Sequence, residues 1–354
     1  MARERVLVLE PNHAAAVRGS PTRRYWPLVL AMVLLLTRSR AGVSRLLQNA
    51  ALLAFSRAVS VAPGVAASPL KSQAETWLKW SIGMAPSGQE AAWEHLGLAL
   101  ASSGLENEAV QAWQSAPSAQ DVASSLLKRG DLARQGGLGQ DALRWYRLAA
   151  DTDPGLGDVQ YAMGLAYETS GDWEAALAAY ESAGSAARLV RVGRSSPRYR
   201  QGLIYQWKMD PRQLGMALTS YEMALATDDF ADDLEAANCH YQRGEILRWT
   251  GGSPDAYIAE YRWALELNPD HAAAQLYLGV AIYTRDGDAR QAEADVRKAL
   301  AMNPESEWAW YHLGEIYRQE GRITEARAAY RQALAISPTF ENATQRLEDL
   351  RDDK

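Results

Sequence analysis

The sequence predicts an all-α protein, an array of helix-turn-helix repeats with an apolar helix near its amino terminus. Two observations predict the repeat array. One set of small, aromatic and turn-forming residues recurs about every 34 residues, and the 354-residue chain is long for one compact domain. A third, a short uncharged run flanked by arginines, predicts the apolar helix. Because a single repeat cannot bury its apolar face alone, stability is expected from packing between successive repeats.

The clearest repeat is residues 307–340, EWAWYHLGEIYRQEGRITEARAAYRQALAISPTF. Gly314 and Ala326 place small residues where two antiparallel helices are expected to cross closely. Tyr330 lies on the apolar face of the second helix, and Pro338 ends that helix before the next unit. The spacing therefore predicts one complete helical hairpin.

The same spacing recurs six more times towards the amino terminus, each time around a signature glycine. These glycines are Gly97, Gly130, Gly164, Gly202, Gly244 and Gly279. An insertion around Asp210 and Pro211 falls in a predicted turn, so it leaves the helices in phase. The seven predicted repeats are 90–122, 123–156, 157–190, 195–230, 237–271, 272–306 and 307–340.

This pattern resembles the tetratricopeptide repeat (TPR) family over residues 90–340, and its anchor suggests the bacterial membrane-anchored type. The resemblance implies an α-solenoid, a right-handed superhelix of helix-turn-helix repeats. Residues 42–89 read as degenerate helices of the same kind. Residues 341–354 carry polar side chains with Leu347 and Leu350, which predicts a capping helix.

The amino terminus divides into a basic segment, 1–24, and a predicted transmembrane anchor helix, 25–41. The uncharged run Tyr25–Thr37 reaches only about 20 Å as a helix, whereas the hydrocarbon layer is about 30 Å thick. An interfacial or packed helix and a cleaved signal therefore stay open beside a retained anchor. The arginines on the two sides barely differ in number, but they favour an extracytoplasmic repeat body over a cytoplasmic one.

Charge and chemistry exclude several functional classes. The net charge is −6 although the first 60 residues hold nine arginines, so the repeat body is acidic and nucleic-acid binding is not expected. Cys239 is the single cysteine, and the five histidines lack metal-ligand spacing, so no metal and no cofactor is expected. An acidic cluster between two repeats favours helix-start and loop roles over a cation site. It comprises Asp228, Asp229, Asp232 and Asp233.

The family resemblance implies that first-helix residues line a concave binding groove. A tyrosine row at repeat spacing suits either packing between helices or an extended ligand, a peptide or a glycan. That row is Tyr161, Tyr199, Tyr241 and Tyr311, with Leu276 at the equivalent place in one repeat. The other predicted groove residues are Glu168, Gln206, Trp207, Glu245, Arg248, Trp249, Glu315 and Arg318.

These observations predict a non-catalytic scaffold for protein interactions, because the repeats leave no stretch long enough for a catalytic domain. We expect it to be membrane-anchored and to support assembly of an envelope, secretion or polysaccharide system. Two alternatives are a soluble cytoplasmic adaptor and a glycan- or peptide-binding subunit of an enzyme complex. The expected partner is a protein or peptide, with a glycan as the further possibility.

Overall fold

The computed structural model describes residues 43–51, 75–80, 82–83, 90–210 and 212–352. The predicted basic segment 1–24 and anchor 25–41 lie outside this range. Within the described residues, none of the helices combines the length and the apolar character needed to span a bilayer.

The chain divides into two compact units, Met1–Ala119 and Gln120–Lys354. The first contains helical segments at 43–51 and 75–80 and the helices α1 (Glu90–Ser102) and α2 (Glu106–Gln114). Helix α3 begins at the boundary between the units, and all later helices lie in the second. They are α3 (Ala119–Gln135), α4 (Gly139–Thr152), α5 (Gly157–Ser170), α6 (Trp173–Ser185), α7 (Ser196–Trp207), α8 (Leu214–Thr227), α9 (Asp233–Trp249), α10 (Pro254–Leu267), α11 (Ala272–Asp286), α12 (Ala289–Met302), α13 (Glu307–Gln319), α14 (Ile323–Ile336) and α15 (Glu341–Asp352).

The predicted all-α repeat fold is confirmed for the described residues. Their only strand-like pairing is an isolated bridge between Leu156 and Arg188. Odd-numbered helices from α1 to α13 are the first helices of successive hairpins, and even-numbered helices are the second. Helix α9 begins at Asp233, four residues before the predicted repeat 237–271, because Asp232 caps it by accepting from the Glu235 amide at 2.8 Å.

Short turns close most hairpins. Gly171 and Gly321 end first helices with φ angles of 77° and 73°, a left-handed conformation that favours glycine. Between α7 and α8 the connection is longer, and the Gln213 amide donates to the Tyr205 carbonyl at 3.0 Å. The insertion predicted around Asp210 thus falls between helices, as expected for a change that preserves helix packing.

The two helices of each hairpin cross at the signature glycine. A Cβ atom at Gly164 would lie 2.5 Å from Tyr180 Cε1, and one at Gly314 would lie 2.5 Å from Tyr330 Cε1. Any larger residue would therefore collide with a fully buried aromatic ring. Six hairpins share this arrangement, with the second-helix aromatics Trp113, Tyr146, Tyr180, Tyr221, Tyr261 and Tyr330 all 0% exposed. At Gly279 the neighbour is Asp295 Cβ, at 2.8 Å.

Successive hairpins pack together through a continuous core at the carboxyl-terminal end. Leu276, Val296 and Leu313 belong to one buried cluster that extends to Ala343 and Leu350 of α15. The side of α15 away from this cluster is exposed and polar. Helix α15 thus buries the apolar face of α14, which would otherwise meet solvent at the end of the array.

Candidate protein-binding surface

Four predicted groove residues accept hydrogen bonds from buried tyrosines of the second helices. The Tyr180 hydroxyl donates to Glu168 at 2.6 Å and the Tyr221 hydroxyl to Gln206 at 2.7 Å. The remaining two bonds run from Tyr261 to Glu245 and from Tyr330 to Glu315, each at 2.5 Å. These acceptors satisfy phenols that are buried inside the hairpins, so their first role is structural.

Arginines on the same first helices neutralise two of these carboxylates. Arg248 pairs with Glu245 at 2.8 Å, and Arg318 pairs with Glu315 at 3.0 Å. Burial tends to raise the pKa of Glu315, but hydrogen bonds from Arg318 and Tyr330 outweigh it and leave the pKa below its usual value. Both carboxylates therefore have a cation supplied by their own helix.

The predicted tyrosine row packs against the second-helix tyrosines. Tyr199 is buried, with its ring centroid 6.0 Å from that of Tyr221. Tyr161, Tyr241 and Tyr311 are half-buried and lie 5.4, 6.2 and 5.9 Å from the corresponding rings, Tyr180, Tyr261 and Tyr330. The row thus packs within each hairpin, and three of its four members keep a partly accessible edge.

Aromatic contacts continue from one first helix to the next in the last three hairpins. Tyr241 of α9 stacks on Tyr277 of α11 at 6.3 Å, and Tyr277 meets His312 of α13 edge-on at 5.8 Å. Trp308 stacks on His312 at 6.1 Å and contacts Phe340 at 4.8 Å. We call Tyr241, Tyr277, Trp308, His312 and Phe340 the rear aromatic ladder.

The rear aromatic ladder borders a notch of about 170 Å³, roughly the space for one large apolar side chain. Tyr241, Leu276 and Tyr277 form one side, and Trp308 lies on the other and is 40% exposed. Polar groups at the notch come from Asn303 and Ser306. The geometry is that of an apolar side-chain pocket with a polar rim.

Arg248 makes a charged contact with the ladder. The Arg248 guanidinium lies 4.8 Å from the centroid of the Tyr277 ring, a cation–π contact. Burial, and secondarily Arg248, lowers the pKa of His312 to about 4, although Glu315 opposes the shift. His312 is therefore neutral at pH 7 and belongs to the apolar wall.

Trp207 and Trp249, both predicted groove residues, form a separate aromatic corner. Their rings meet at 89° with centroids 5.2 Å apart, and Trp207 is 43% exposed. Arg212 lies over both rings, 5.0 Å from Trp207 and 5.9 Å from Trp249. The chain thus supplies its own cation to this corner.

A non-helical segment, residues 188–192, bends at residues 190–192 and lies against α3 and α5; we call it the docked segment. Asp158 accepts from the Val190 amide at 2.8 Å and from the Arg191 amide at 2.7 Å. The Gly157 amide donates to the Arg188 carbonyl at 2.7 Å. The surface beneath it includes Gln120, Leu127, Lys128, Asp131, Asp158 and Tyr161, which we call the front surface.

Sequence reasoning missed two features of these surfaces. It divided the docked segment between the end of repeat 157–190 and a gap before repeat 195–230, because the repeat pattern carries no information there. It also selected the tyrosine row but not Tyr277 or His312, each one residue further along its helix. One sequence feature does indicate the docked segment. The spacing from Gly164 to Gly202 is four residues longer than the standard repeat.

Two members of the acidic cluster have structural partners. Asp232 caps α9, and Asp229 accepts from the Arg194 amide at 3.3 Å. Among the residues that the structure describes, no group of three His, Cys, Asp or Glu side chains is arranged to hold a metal ion. Cys239 is fully buried, and burial raises the pKa of its thiol, which makes it an unreactive core residue.

Comparisons with known proteins agree with this architecture. A tetratricopeptide repeat family model matches residues 246–286 and 283–339, which confirms the predicted repeat type for that part of the chain. The search of curated proteins found no match. The structure of pilF from Pseudomonas aeruginosa aligns over 65% of this chain and 99% of its own, with 14% identity and a TM-score of 0.53, which shows a shared fold.

Two further solved structures align with lower TM-scores. A chain of the APC/C assembly Cut9–Hcn1 aligns over 79% of this chain with 18% identity and a TM-score of 0.49. This chain covers 52% of that chain, about half its length. YrrB, described as a TPR protein with an unusual peptide-binding site, aligns over 57% of this chain and 97% of its own, with 17% identity and a TM-score of 0.45.

Proposed function

We propose that the chain is a protein-interaction scaffold that binds a partner through its rear aromatic ladder. The observation that carries this proposal is the partly exposed Trp308 beside an apolar notch of about 170 Å³. Exposed aromatic residues around an apolar pocket are typical of the centre of protein interfaces, where one partner side chain is buried. Tetratricopeptide repeats supply a rigid support for such a surface.

The partner that fits best is an extended peptide segment with one large apolar side chain. That side chain would enter the notch between Tyr277 and Trp308, while Asn303 and Ser306 offer hydrogen bonds at the rim. Arg248 at the edge of the ladder is already paired with Glu245, so the fit of an apolar side chain, and not charge, is expected to select the partner there. A glycan would instead stack on the exposed face of Trp308, so the two ligand classes make different demands on the notch.

Site-specific photocrosslinking tests the surface. A photoreactive phenylalanine analogue in place of Trp308 is expected to crosslink to a protein partner in cells that produce the chain. The matched control is Trp263 on α10, which is 53% exposed and lies outside the ladder. Crosslinks to the same protein from both positions, or from neither, contradict the proposal. Binding of an oligosaccharide but no protein at Trp308 would replace it with the glycan alternative.

We further propose that this scaffold is anchored in a membrane. This proposal is supported by the uncharged run within 25–41 and its flanking arginines, and it includes a role in assembling an envelope, secretion or polysaccharide system. The expected result is that the full chain fractionates with membranes, while a chain beginning at residue 42 does not. A full chain found only in the soluble fraction would favour the soluble adaptor, and protease accessibility in spheroplasts reports the side of the repeat body.

A further inference from the structure

We propose that the front surface is a receptor for a basic peptide with Arg-x-x-Arg spacing, bound in the bent conformation of the docked segment, and that the docked segment is its resident internal ligand. This surface differs from the rear aromatic ladder, so the proposal is independent of the function proposed above. It rests on three features of the docked segment: how its backbone is held, how its arginines are paired, and how little of it belongs to the core.

Hydrogen bonds from the start of α5 hold the backbone of the docked segment. The buried Asp158 carboxylate uses its two oxygens to accept from two consecutive amides, those of Val190 and Arg191. The Gly155 carbonyl accepts from the Arg188 amide at 3.2 Å, and the Gly157 amide returns a bond to the Arg188 carbonyl. Two consecutive amides can reach one carboxylate only where the backbone bends, so these contacts recognise a bent main chain whatever its side chains.

The close approach of the two backbones requires glycine at position 157. A Cβ atom there would lie 2.7 Å from Ala186 Cβ and 3.0 Å from the Arg188 carbonyl oxygen. Any larger residue would therefore push the docked segment away from α5. Glycine at the start of α5 thus leaves room for the adjoining backbone at Ala186 and Arg188.

The arginines give the front surface its selectivity. Arg188 pairs with Asp153 at 2.5 Å and also contacts the Gln120 side-chain oxygen. Arg191 pairs with Asp131 at 2.7 Å. The two carboxylates are 14% and 15% exposed, so each ion pair is partly shielded from water. Two arginines three residues apart are thus each paired with a different carboxylate.

The side chains between the arginines are weakly constrained. Val190 is 67% exposed, and Leu189 is only half-buried. The arginine side chains themselves are 40% and 55% exposed. A segment that was part of the hydrophobic core would bury its apolar residues, so the pattern is that of a ligand lying on a surface.

Unfilled space remains on both sides of the docked segment. A cavity of about 170 Å³ lies between Arg191, Asp131 and Tyr161, and a smaller one of about 80 Å³ lies between Val190, Leu127 and Lys128. The docked segment therefore leaves room that larger ligand side chains would fill. Its covalent connection gives it a millimolar effective concentration, so free peptides compete with it poorly.

The test uses the chain's own sequence as the probe. In one variant, residues 187–192 are replaced by glycine and serine at unchanged length, and folding is checked by circular dichroism. A fluorescent peptide AARLVRVG, residues 186–193, is then titrated into the variant and the intact chain at low salt. We expect the variant to bind at least tenfold more tightly than the intact chain, as measured by fluorescence anisotropy.

Three controls define specificity. A peptide with glutamate at both arginine positions and a scrambled peptide are both expected to bind at least tenfold more weakly. Asp158→Asn in the replaced variant is expected to weaken binding of the native peptide by a similar factor. Equal binding of native and scrambled peptides, or no binding to a folded variant, overturns the proposal.

A second measurement covers the case in which the replaced variant does not fold. Arg188→Ala with Arg191→Ala keeps the length and the backbone bonds of the docked segment. We expect hydrogen exchange at the Val190 and Arg191 amides to accelerate at least tenfold, with no change in α13. Unchanged exchange at these amides would show that the arginines do not hold the segment, which overturns the proposal.

Discussion

The front surface and the rear aromatic ladder lie on hairpins of the same construction but present opposite chemistry. In both regions a first-helix glycine meets a fully buried tyrosine of the second helix, Gly164 with Tyr180 and Gly314 with Tyr330. The front surface is acidic and carries the docked segment, whereas the rear ladder is aromatic and carries none. The repeat thus fixes the hairpin and leaves the neighbouring surface positions free to differ.

The two regions also neutralise their acids differently. In the rear, Glu245 and Glu315 pair with arginines one turn further along the same helix, and Glu315 also pairs with Arg346 of α15 at 2.9 Å. In the front, Asp131 pairs with Arg191 of the docked segment, and Asp158 accepts only from amides of that segment. Each rear acid therefore has an arginine on its own helix, whereas the front acids depend on the irregular docked segment.

The largest expected effect tests the shared hairpin. Gly164→Leu and Gly314→Leu would each force a side chain into a buried tyrosine ring, so each is expected to lower the free energy of unfolding by about 3 kcal/mol. Gly215→Leu is the control, because nothing lies within 4 Å of its Cβ position. Urea denaturation checks all three. A loss at only one of the two crossings would show that front and rear hairpins are not built alike.

The next prediction concerns how the free energy of unfolding depends on pH through His312, which belongs to the rear aromatic ladder. The pKa of His312 is lowered to about 4 in the fold, so the unfolded chain binds the proton first as pH falls. Stability from neutral His312 is complete above about pH 6.5 and is lost towards pH 4, by about 3 kcal/mol. His312→Gln is expected to reduce the pH dependence of unfolding in this window. An identical pH dependence in both proteins would contradict the burial of His312.

A smaller effect is confined to the front surface. Asp158→Asn leaves one oxygen for two amides, and we expect it to cost about 1 to 2 kcal/mol of local stability. Hydrogen exchange should accelerate at Val190 and Arg191, while amides of α11 and α13 keep their rates. Acceleration in α13 as well would mean that the front and rear regions open together.

The smallest expected effect lies at the aromatic corner. Arg212→Ala removes a cation from Trp207 and Trp249 and should lower the free energy of unfolding by only about 0.5 to 1 kcal/mol. The tryptophan fluorescence maximum is expected to shift as the rings gain contact with water. A loss of several kcal/mol would show that Arg212 is a core residue and not a surface cation.

The repeat pattern allowed the fold to be predicted because each signature residue reports a local requirement. Glycine at a helix crossing and tyrosine on the facing helix recur at fixed spacing, so Gly314 and Tyr330 could be assigned from sequence. The docked segment could not be, because its position depends on contacts between residues 33 positions apart, such as Asp158 with Arg191. A repeat pattern predicts the structure of the units that repeat. An irregular segment between two units changes only the spacing of their signature residues, and this change does not show what the segment contacts.

The groove residues were predicted less completely for a related reason. Sequence position places Glu245 and Glu315 on the first helix, but it does not show that buried phenols bind them. Likewise, Tyr241 was selected by its place in the repeat, whereas its stacking on Tyr277 depends on the angle between neighbouring hairpins. Contacts within a hairpin follow from the pattern, and contacts between hairpins need the structure.

Paired photocrosslinking compares the two surfaces most directly. A photoreactive residue at Trp308 samples the rear ladder, and the same residue at Lys128 samples the front surface beside Val190 and Arg191. We expect Trp308 to yield a crosslink to a partner protein and Lys128 to yield an internal crosslink to residues 188–192, identified by mass spectrometry. A partner crosslink from Lys128 with only internal products from Trp308 would contradict the account.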